Sequence, residues 1–301
     1  MFRKFQTELE QYRINDLERL SGVKAHTIRI WEKRYLLIQP SRTVTNRRFY
    51  NSAQLRKLMN VAVLVAQGDK ISNLAALTEG EIAGKVELLK EASSPETVSI
   101  TYINELTRAM LAFDEAAFEQ VVQATRQRFG LHDCMVQVVY PFLRHTGILW
   151  LVNKAAPAEE HFALCIIRRK LIAAIDALPP PAQGVKKFML FLPAAEWHEI
   201  GLLMACYMIR VKGHSVIYLG QNVPATEMER VCSMTSADYL FFLLTSARSK
   251  ETIEEEMALL HTAAAGIPIL VAGNPDALAV ASSYGGSVIY LKNVDSLSAY
   301  L

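Results

Sequence analysis

The chain has 301 residues, of which 51% are hydrophobic and 21% charged, and a formal net charge of +2, so we expect a soluble globular protein of two or three domains. No run of about 18 apolar residues appears, and the N-terminal "MFRKFQTELEQYR" lacks the apolar segment of a secretory signal, so we expect neither a membrane protein nor an exported one, but a cytoplasmic one. The four cysteines lie far apart without a C-x-x-C pair, which argues against a zinc site and a disulfide framework.

Positive charge is concentrated at the N-terminus. Residues 1–70 hold fourteen Lys and Arg against six Asp and Glu, a net charge of +8, whereas residues 71–301 hold eighteen against twenty-four, a net charge of −6. This polarity predicts a small nucleic-acid-binding head on a body that has a different task.

Two helices joined by a tight turn are the first predicted elements. The first has an apolar stripe at Ile14, Leu17 and Leu20 and is broken at Ser21-Gly22. Three residues of the second recur at the spacing of a buried face: Ile28, Trp31 and Tyr35. His26, Arg29 and Lys33 share another face at the same spacing and should point outward, which is the arrangement of a recognition helix in a DNA major groove.

A basic loop or short hairpin follows the second helix. Arg42, Arg47 and Arg48 lie close to Phe49 and Tyr50 in this segment. Guanidinium groups suit phosphate oxygens and base edges, and Tyr50 can place its hydroxyl on a phosphate. Taken alone, such a loop is more often just a solvated basic surface.

Residues 11–75 resemble the winged-helix DNA-binding domain of the MerR family. The resemblance rests on "TIRIWEKRY" at 27–35, P-x-R-T at 40–43, "RRFY" at 47–50 and "AQGDKISNL" at 66–74. It implies a homo-oligomer that binds an inverted-repeat operator in double-stranded DNA, with a DNA-binding domain over residues 1–78. Leu36 stands where the family usually turns on a glycine. The expected DNA-contacting residues are His26, Thr27, Arg29, Lys33, Arg42, Arg47, Arg48 and Tyr50.

The middle of the chain is predicted to be helical. Residues from Leu77 to Ser99 are polar, and "EASSPE" within them has the composition of a hinge. Residues 97–178 then show long helical periodicity with little strand signal, which predicts a four-helix bundle. Its helices are predicted at 97–112, 114–129, 131–150 and 157–178.

Trp150 and the pair Glu160-His161 could have a structural role or belong to a binding site. On residue statistics alone, a lone tryptophan is usually part of a core, and a glutamate near a helix N-terminus is favoured by the helix dipole. A role in a binding site needs further support.

The last part of the chain follows a proline-rich linker at residues 179–184. Over residues 185–301, short apolar runs alternate with helical stretches in the order βαβαβαββ, at minimum, and the runs read as strands buried on both faces. The pattern predicts a parallel, doubly wound sheet of the Rossmann or flavodoxin type.

Glu196, His198 and Gly201 form the pattern E-x-H-x-x-G just after the first of these strands. In such a sheet, ligands bind beyond the carboxyl ends of the strands, so His198 has the position of a binding residue, although a helix-capping role fits the same position. Glu196 can accept the proton of one ring nitrogen and leave the other free for a metal. Gly201 would let a bulky ligand approach the helix backbone.

This last domain resembles the cobalamin-binding domain shared by methionine synthase, corrinoid proteins and some mutases, in which the pattern is D-x-H-x-x-G. The resemblance implies that His198 is the lower axial ligand of cobalt, and that Ser246 and Gly273 line the slot for the nucleotide tail. The chain departs from that family at Arg248, where the family has leucine, and at Ala272, where it has glycine.

A MerR head, a helical bundle and a cobalamin domain in this order resemble the CarH and LitR group of light-responsive repressors. That resemblance implies an α and α/β multidomain protein: a winged helix-turn-helix head, a four-helix bundle and a Rossmann-like domain that binds adenosylcobalamin. Trp150, Glu160 and His161 match the group's W-x9-E-H pattern, so they are expected at the upper face of the corrin. The implied function is a non-enzymatic repressor, dimeric or tetrameric, whose DNA binding is switched by light.

Leu151 is a departure that bears on the light response. The group has there a histidine that captures cobalt after photolysis, and leucine cannot ligate. Either His145 or His161 replaces it, or water stays there, or the protein senses cobalamin without a lasting light-state adduct. A regulator whose domain has lost cobalamin and answers to another ligand or protein is the alternative function.

Overall fold

The computed structural model describes residues 12–42, 48–92, 95–151, 157–246, 248–273 and 275–301. The chain divides into two compact units, Met1–Ala163 and Leu164–Leu301, which are described separately below. Among the described residues, no helix is both long enough and apolar enough to cross a bilayer. The domain limits 1–78, 97–178 and 185–301 stay predictions.

The first unit begins with the predicted helix–turn–helix and hairpin. Leu17 and Ile28 are fully buried and Trp31 is 7% exposed, as their spacing predicts, while Tyr35 is only partly buried. Gly22, at φ 72°, ends the first helix in the left-handed conformation that glycine adopts without strain. The elements are α1 Ile14–Ser21, α2 Ala25–Tyr35, antiparallel strands β1 Ser41–Arg42 and β2 Arg48–Phe49, α3 Ser52–Ala66 and α4 Ile71–Ala75.

Leu36 takes the left-handed conformation that the family gives to a glycine. Its φ is 54°, and its amide N–H donates to the carbonyl of Glu32, so the turn after α2 keeps its shape. An L-residue in this region costs roughly 1–2 kcal/mol. The side chain is 66% exposed, so no burial of Leu36 offsets that cost.

A helix that the sequence analysis missed leads into the bundle. Glu79–Ala92 forms α5, although the polar character of Leu77 to Ser99 suggested a linker. Ile82 and Val86, four residues apart, are 1% and 4% exposed, and this pair is enough to fix one face of α5 against α3 and α6. The hinge expected at "EASSPE" includes the last two residues of α5, and its two serines lie outside the described residues.

The four predicted bundle helices are present. Gly130, with φ 78° and ψ 169°, breaks the helical path between the second and third of them, where the sequence predicts a boundary. A π-helical segment, Met135–Val139, then continues into the next helix. Phe118 packs edge-on against Phe142 and Phe162, with ring centroids 5.6 and 6.2 Å away. The helices are α6 Pro95–Leu111, α7 Glu115–Cys134, α8 Tyr140–Leu151 and α9 Pro157–Asp176, whose second half belongs to the second unit.

The second unit is a five-stranded parallel sheet with helices on both faces. Its strands lie in the order β4-β3-β5-β6-β7, which is the flavodoxin-like order 2-1-3-4-5 and decides between the two predicted types. Two elements were not predicted: the short helix before the last strand and the 3₁₀ helix after it. The elements are β3 Lys187–Pro193, α10 Glu199–Val211, β4 Ser215–Val223, α11 Ala225–Thr235, β5 Tyr239–Leu244, α12 Lys250–Ala264, β6 Ile269–Gly273, α13 Asp276–Ser282, β7 Val288–Leu291 and a 3₁₀ helix Val294–Tyr300.

Burial on both faces explains the unbroken apolar runs of the strands. Met189 and Phe191 belong to the core formed with α11, α12 and α13, and their neighbours Phe188 and Leu190 are also fully buried. A strand covered on both sides needs apolar residues at every position.

The strand β4 is irregular at its carboxyl end. Leu190 pairs with Tyr218, but Phe191 pairs with Gly220 and Pro193 with Val223, so β4 contains extra residues relative to β3. Gly220 and Asn222 have positive φ values of 80° and 56°. Such bulges turn side chains away from the regular alternation of a strand.

Candidate functional site

The exposed face of α2 carries the residues predicted to contact DNA. His26, Arg29 and Lys33 are exposed, and Thr27 is partly buried, with its hydroxyl 3.3 Å from His26 Nε2. Arg42 on β1 and Arg48 on β2 are also exposed, whereas Arg47 lies outside the described residues. The hairpin therefore adds two cations to the polar face of the helix, and their contacts with DNA remain a prediction.

Tyr50 does not face solvent. It is fully buried, its hydroxyl donates to the carboxylate of Glu32, and its backbone pairs with Tyr12 through two hydrogen bonds of 2.8 Å. Burial and the adjacent Glu32 carboxylate raise the pKa of Tyr50. The expected phosphate contact of Tyr50 is therefore wrong, because the hydroxyl satisfies a carboxylate that is itself 8% exposed. Arg48 Nε lies 3.9 Å from the same carboxylate, so Glu32 connects the hairpin to α2.

In the second unit, the predicted site residues meet where the strand order reverses. Glu196 and His198 follow β3, and Ser246 follows β5, its neighbour in the sheet. In open α/β sheets, the crevice at the carboxyl ends of two such strands is the usual ligand site.

Glu196 is the centre of this arrangement. Its side chain is fully buried, and one carboxylate oxygen accepts the amide N–H groups of Thr245 and Ser246 at 2.7 and 2.8 Å. The other accepts the hydroxyl of Ser246 at 3.1 Å and the amide N–H of Trp197 at 3.1 Å. Burial alone would raise the pKa of Glu196, but the hydrogen bonds from the Ser246 amide, from His198 and from the Thr245 amide outweigh it and hold the pKa at about 2. The carboxylate is thus a fixed negative charge.

His198 is held by this carboxylate and projects from the edge of the sheet. Its Nδ1 lies 2.5 Å from Glu196 Oε1, and its side chain is 60% exposed. A carboxylate on one ring nitrogen fixes the orientation of the imidazole and leaves Nε2 as the nitrogen for a metal. His198 precedes α10 but makes no side-chain cap, so the capping interpretation is wrong. No group of three or more His, Cys, Asp or Glu that could hold a metal occurs within the described ranges.

The two predicted glycines have structural reasons of their own. A Cβ at Gly201 would lie 2.7 Å from Leu243 Cδ1, so the glycine lets α10 pack closely on β5. At Gly273, with φ 109°, a Cβ would lie 2.3 Å from the carbonyl oxygen of Leu244. Contacts of either glycine with a ligand remain predictions.

Two family models match the chain. Residues 12–81 match the MerR HTH family regulatory protein, and residues 102–174 match the B12 binding domain. The chain is a MerR-type regulator with a B12-binding domain.

Relatives of known function are similar along most of this regulator. It is 28% identical to the HTH-type transcriptional repressor CarH of Myxococcus xanthus, over 87% of this chain and 88% of CarH. It is also 28% identical to the repressor CarA of the same organism, over 87% of this chain and 86% of CarA. Both relatives are transcriptional repressors.

A solved structure shares the fold of about two thirds of the regulator. The monomethylamine corrinoid protein of Methanosarcina barkeri, 11% identical, covers 66% of this chain and 96% of its own length, with a TM-score of 0.51. The likeness confirms the predicted combination of helices and a Rossmann-like sheet.

The remaining predicted cofactor residues belong to the first unit of the regulator. Glu160 is half-buried and His161 is exposed in the first turns of α9. Trp150 and Leu151 are the last residues of α8, and their side chains lie outside what the structure describes. The roles of Trp150, Glu160 and His161 at a corrin therefore stay predictions.

Sequence reasoning missed several residues around His198. Trp197, between the two motif residues, is 60% exposed. Arg248 donates to the carbonyl of Ala194 at 2.7 Å and forms an ion pair of 2.6 Å with Glu256. Burial raises the pKa of Glu256, and the guanidinium of Arg248 opposes that rise. The arginine that replaces the family's leucine is thus tied to the loop of the motif, a contact that no sequence pattern signals.

Tyr50→Phe is expected to destabilise the DNA-binding head by about 1–2 kcal/mol, because it removes the hydrogen-bond donor to buried Glu32. It is expected to leave the number of phosphate contacts unchanged. Chemical denaturation measures the first effect, and the slope of log affinity for DNA against log salt concentration measures the second. A phosphate contact would instead reduce that slope by about 1, which would restore the original interpretation. Arg48→Gln is the comparison, since losing an exposed cation is expected to reduce the slope.

Proposed function

We propose that the chain is a DNA-binding transcriptional repressor that holds adenosylcobalamin through His198 and releases its operator in light. The observation that carries the proposal is the Glu196–His198 pair: a histidine oriented through Nδ1 by a buried carboxylate, with its side chain 60% exposed at the switch point of the sheet. The homology to CarH and CarA supports the repressor role.

The residues present fit a corrinoid better than a bare metal ion. A metal held by protein alone usually needs three or four ligands, and no such cluster occurs in the part of the chain that the structure describes. A corrin brings four equatorial nitrogens of its own, so one well-oriented histidine is enough. Glu196, fixed by Thr245 and Ser246, orients that histidine through Nδ1.

Adenosylcobalamin supplies a cobalt–carbon bond that green light breaks. The chain would have two states: one that binds DNA while the adenosyl group is present, and one that does not after the group is lost. By the resemblance, His198 would ligate the cobalt and Trp150, Glu160 and His161 would contact the adenosyl group, and the bound cofactor would favour the oligomer that binds an inverted-repeat operator. Loss of the adenosyl group removes the contacts that distinguish the two states.

The test is absorbance and operator binding, in the dark and after green light, of protein purified with adenosylcobalamin. The wild type is expected to be coloured in the dark and to lose DNA on illumination. His198→Ala is expected to lose the bound cobalamin spectrum, and His132→Ala, which removes a histidine of the first unit paired with Asp133, is the control.

Two other outcomes separate the alternatives. A coloured protein whose DNA binding ignores light would make it a cobalamin sensor only, as Leu151 permits. A colourless protein with unaltered DNA binding would support the regulator that answers to another ligand or protein, which the changes at Arg248 and Ala272 favour.

A further inference from the structure

The loop that carries His198 is fixed by groups outside the E-x-H-x-x-G pattern. It spans residues 194–198, between β3 and α10, and Ala195 within it has a φ of 60°. A non-glycine residue in this region costs on the order of 1 kcal/mol and persists only when its surroundings impose it. The loop conformation therefore needs an external cause.

Three side chains supply that cause by bonding to the loop backbone. Asn222 Oδ1 accepts the amide N–H of Ala195 at 2.8 Å, and Gln221 Nε2 donates to the carbonyl of Trp197 at 2.6 Å. Arg248 donates to the carbonyl of Ala194 at 2.7 Å. Together they engage the backbone at three of the four residues that precede His198.

The bulged end of β4 is what brings two of these side chains to the loop. The extra residues in β4 relative to β3 and the positive φ values of Gly220 and Asn222 turn Gln221 and Asn222 out of strand alternation. Asparagine tolerates this conformation better than most residues. A regular strand would point two successive side chains to opposite faces, and could not direct both at one loop.

We propose that Asn222 and Gln221, with Arg248, are positioning residues that hold the loop of His198 in its ligating shape before any corrinoid is bound. The inference rests on the proposed function for the identity of the ligand, but the preformed loop is a property of the protein alone. Glu196 fixes the orientation of the imidazole ring through its contact with Nδ1, and the three side chains fix the backbone from which that ring projects. Loss of one of them releases the backbone without removing the ligand.

Asn222 offers the cleanest test. Asn222→Gly removes the acceptor and keeps φ 56° without strain, while Asn222→Asp keeps an acceptor in the same place. Ser236→Gly is the matched control, because Ser236 also has a positive φ, 50°, but lies at the end of α11, before β5 begins. Asn222 itself is exposed, so its replacement leaves the core intact.

The first measurement uses the protein without cobalamin. Hydrogen exchange of a peptide that covers residues 194–198 is expected to be about 10-fold faster in Asn222→Gly than in the wild type, since a lost hydrogen bond of about 1.4 kcal/mol corresponds to that factor. Asn222→Asp and Ser236→Gly are expected to exchange at the wild-type rate. Unchanged exchange in Asn222→Gly, or equal acceleration in Asn222→Asp, would overturn the inference.

The second measurement adds cobalamin. Asn222→Gly is expected to bind it about 10-fold more weakly, as supporting residues of metal ligands typically do when removed, and to show a weaker axial-nitrogen splitting in the electron paramagnetic resonance of the cob(II)alamin form. Asn222→Asp should restore both. If the wild type binds no cobalamin, the proposed function fails, and the exchange measurement alone still decides whether the loop is held as inferred.

Discussion

Replacing Glu196 with glutamine is expected to destabilise the second unit by about 3 kcal/mol. The carboxylate is fully buried and accepts hydrogen bonds from Thr245, Ser246 and Trp197. Glutamine has one acceptor oxygen, and its NH₂ group must face at least one of these donors, which leaves a partly buried N–H group without its acceptor. Denaturation followed by circular dichroism in the far ultraviolet measures the loss.

Two further variants separate charge from size at this position. Glu196→Asp keeps both acceptor oxygens on a shorter side chain and restores the family's own residue, so its loss should be smaller than that of glutamine. Glu227→Gln removes a carboxylate that is 56% exposed and paired with Arg230 at 3.5 Å, and should change stability by less than about 0.5 kcal/mol. A Glu196→Gln protein as stable as this control would mean that the carboxylate is not the fixed centre of the loop.

In Glu196→Gln, the imidazole of His198 should lose its fixed orientation as the second unit loses stability. Glutamine offers one acceptor oxygen where Glu196 offers two, so it cannot satisfy both the amides of Thr245 and Ser246 and the imidazole Nδ1 of His198, and the ring is held less firmly. Weaker cobalamin binding by Glu196→Gln would follow, since a ligand that must be ordered on binding gives a lower affinity.

The sequence was sufficient where one local rule decides the outcome. The strands of the sheet are visible as apolar runs such as "KFMLFL", because a strand covered on both faces has no polar position. The helix break at Gly130 and the exposed face of α2 follow from similar local rules. His198 was found because one strand and one motif place it at the sheet edge.

Failures arose where a distant partner decides. Tyr50 stands two residues after Arg48 in the sequence, which suggested a phosphate contact, but its hydroxyl donates to Glu32, eighteen residues earlier. The roles of Gln221 and Asn222 depend on a bulged strand end, and apolar alternation is too coarse to show the two added residues in β4. Helix α5 was missed because, among its residues whose burial the structure describes, only Ile82 and Val86 are buried, and the charged remainder gives no clear apolar stripe.

Gly273→Ala is expected to cost the second unit about 3–4 kcal/mol, more than its backbone conformation alone explains. Gly266→Ala provides the matched comparison, because Gly266 has a φ of 93° with nothing within 4 Å of its would-be Cβ, whereas Gly273 has a φ of 109° and a carbonyl oxygen 2.3 Å away. Gly266→Ala should therefore lose only about 1–2 kcal/mol, the cost of the left-handed conformation.

The difference between these two variants measures the clash with Leu244, which forces the carboxyl ends of β5 and β6 apart. That displacement also moves Thr245 and Ser246, the residues that hold Glu196, so cobalamin binding by Gly273→Ala should weaken along with stability. Equal losses in the two variants would remove the packing reason for this glycine. Weakened binding at unchanged stability would instead show that Gly273 is glycine because a ligand, rather than the neighbouring strand, needs the space.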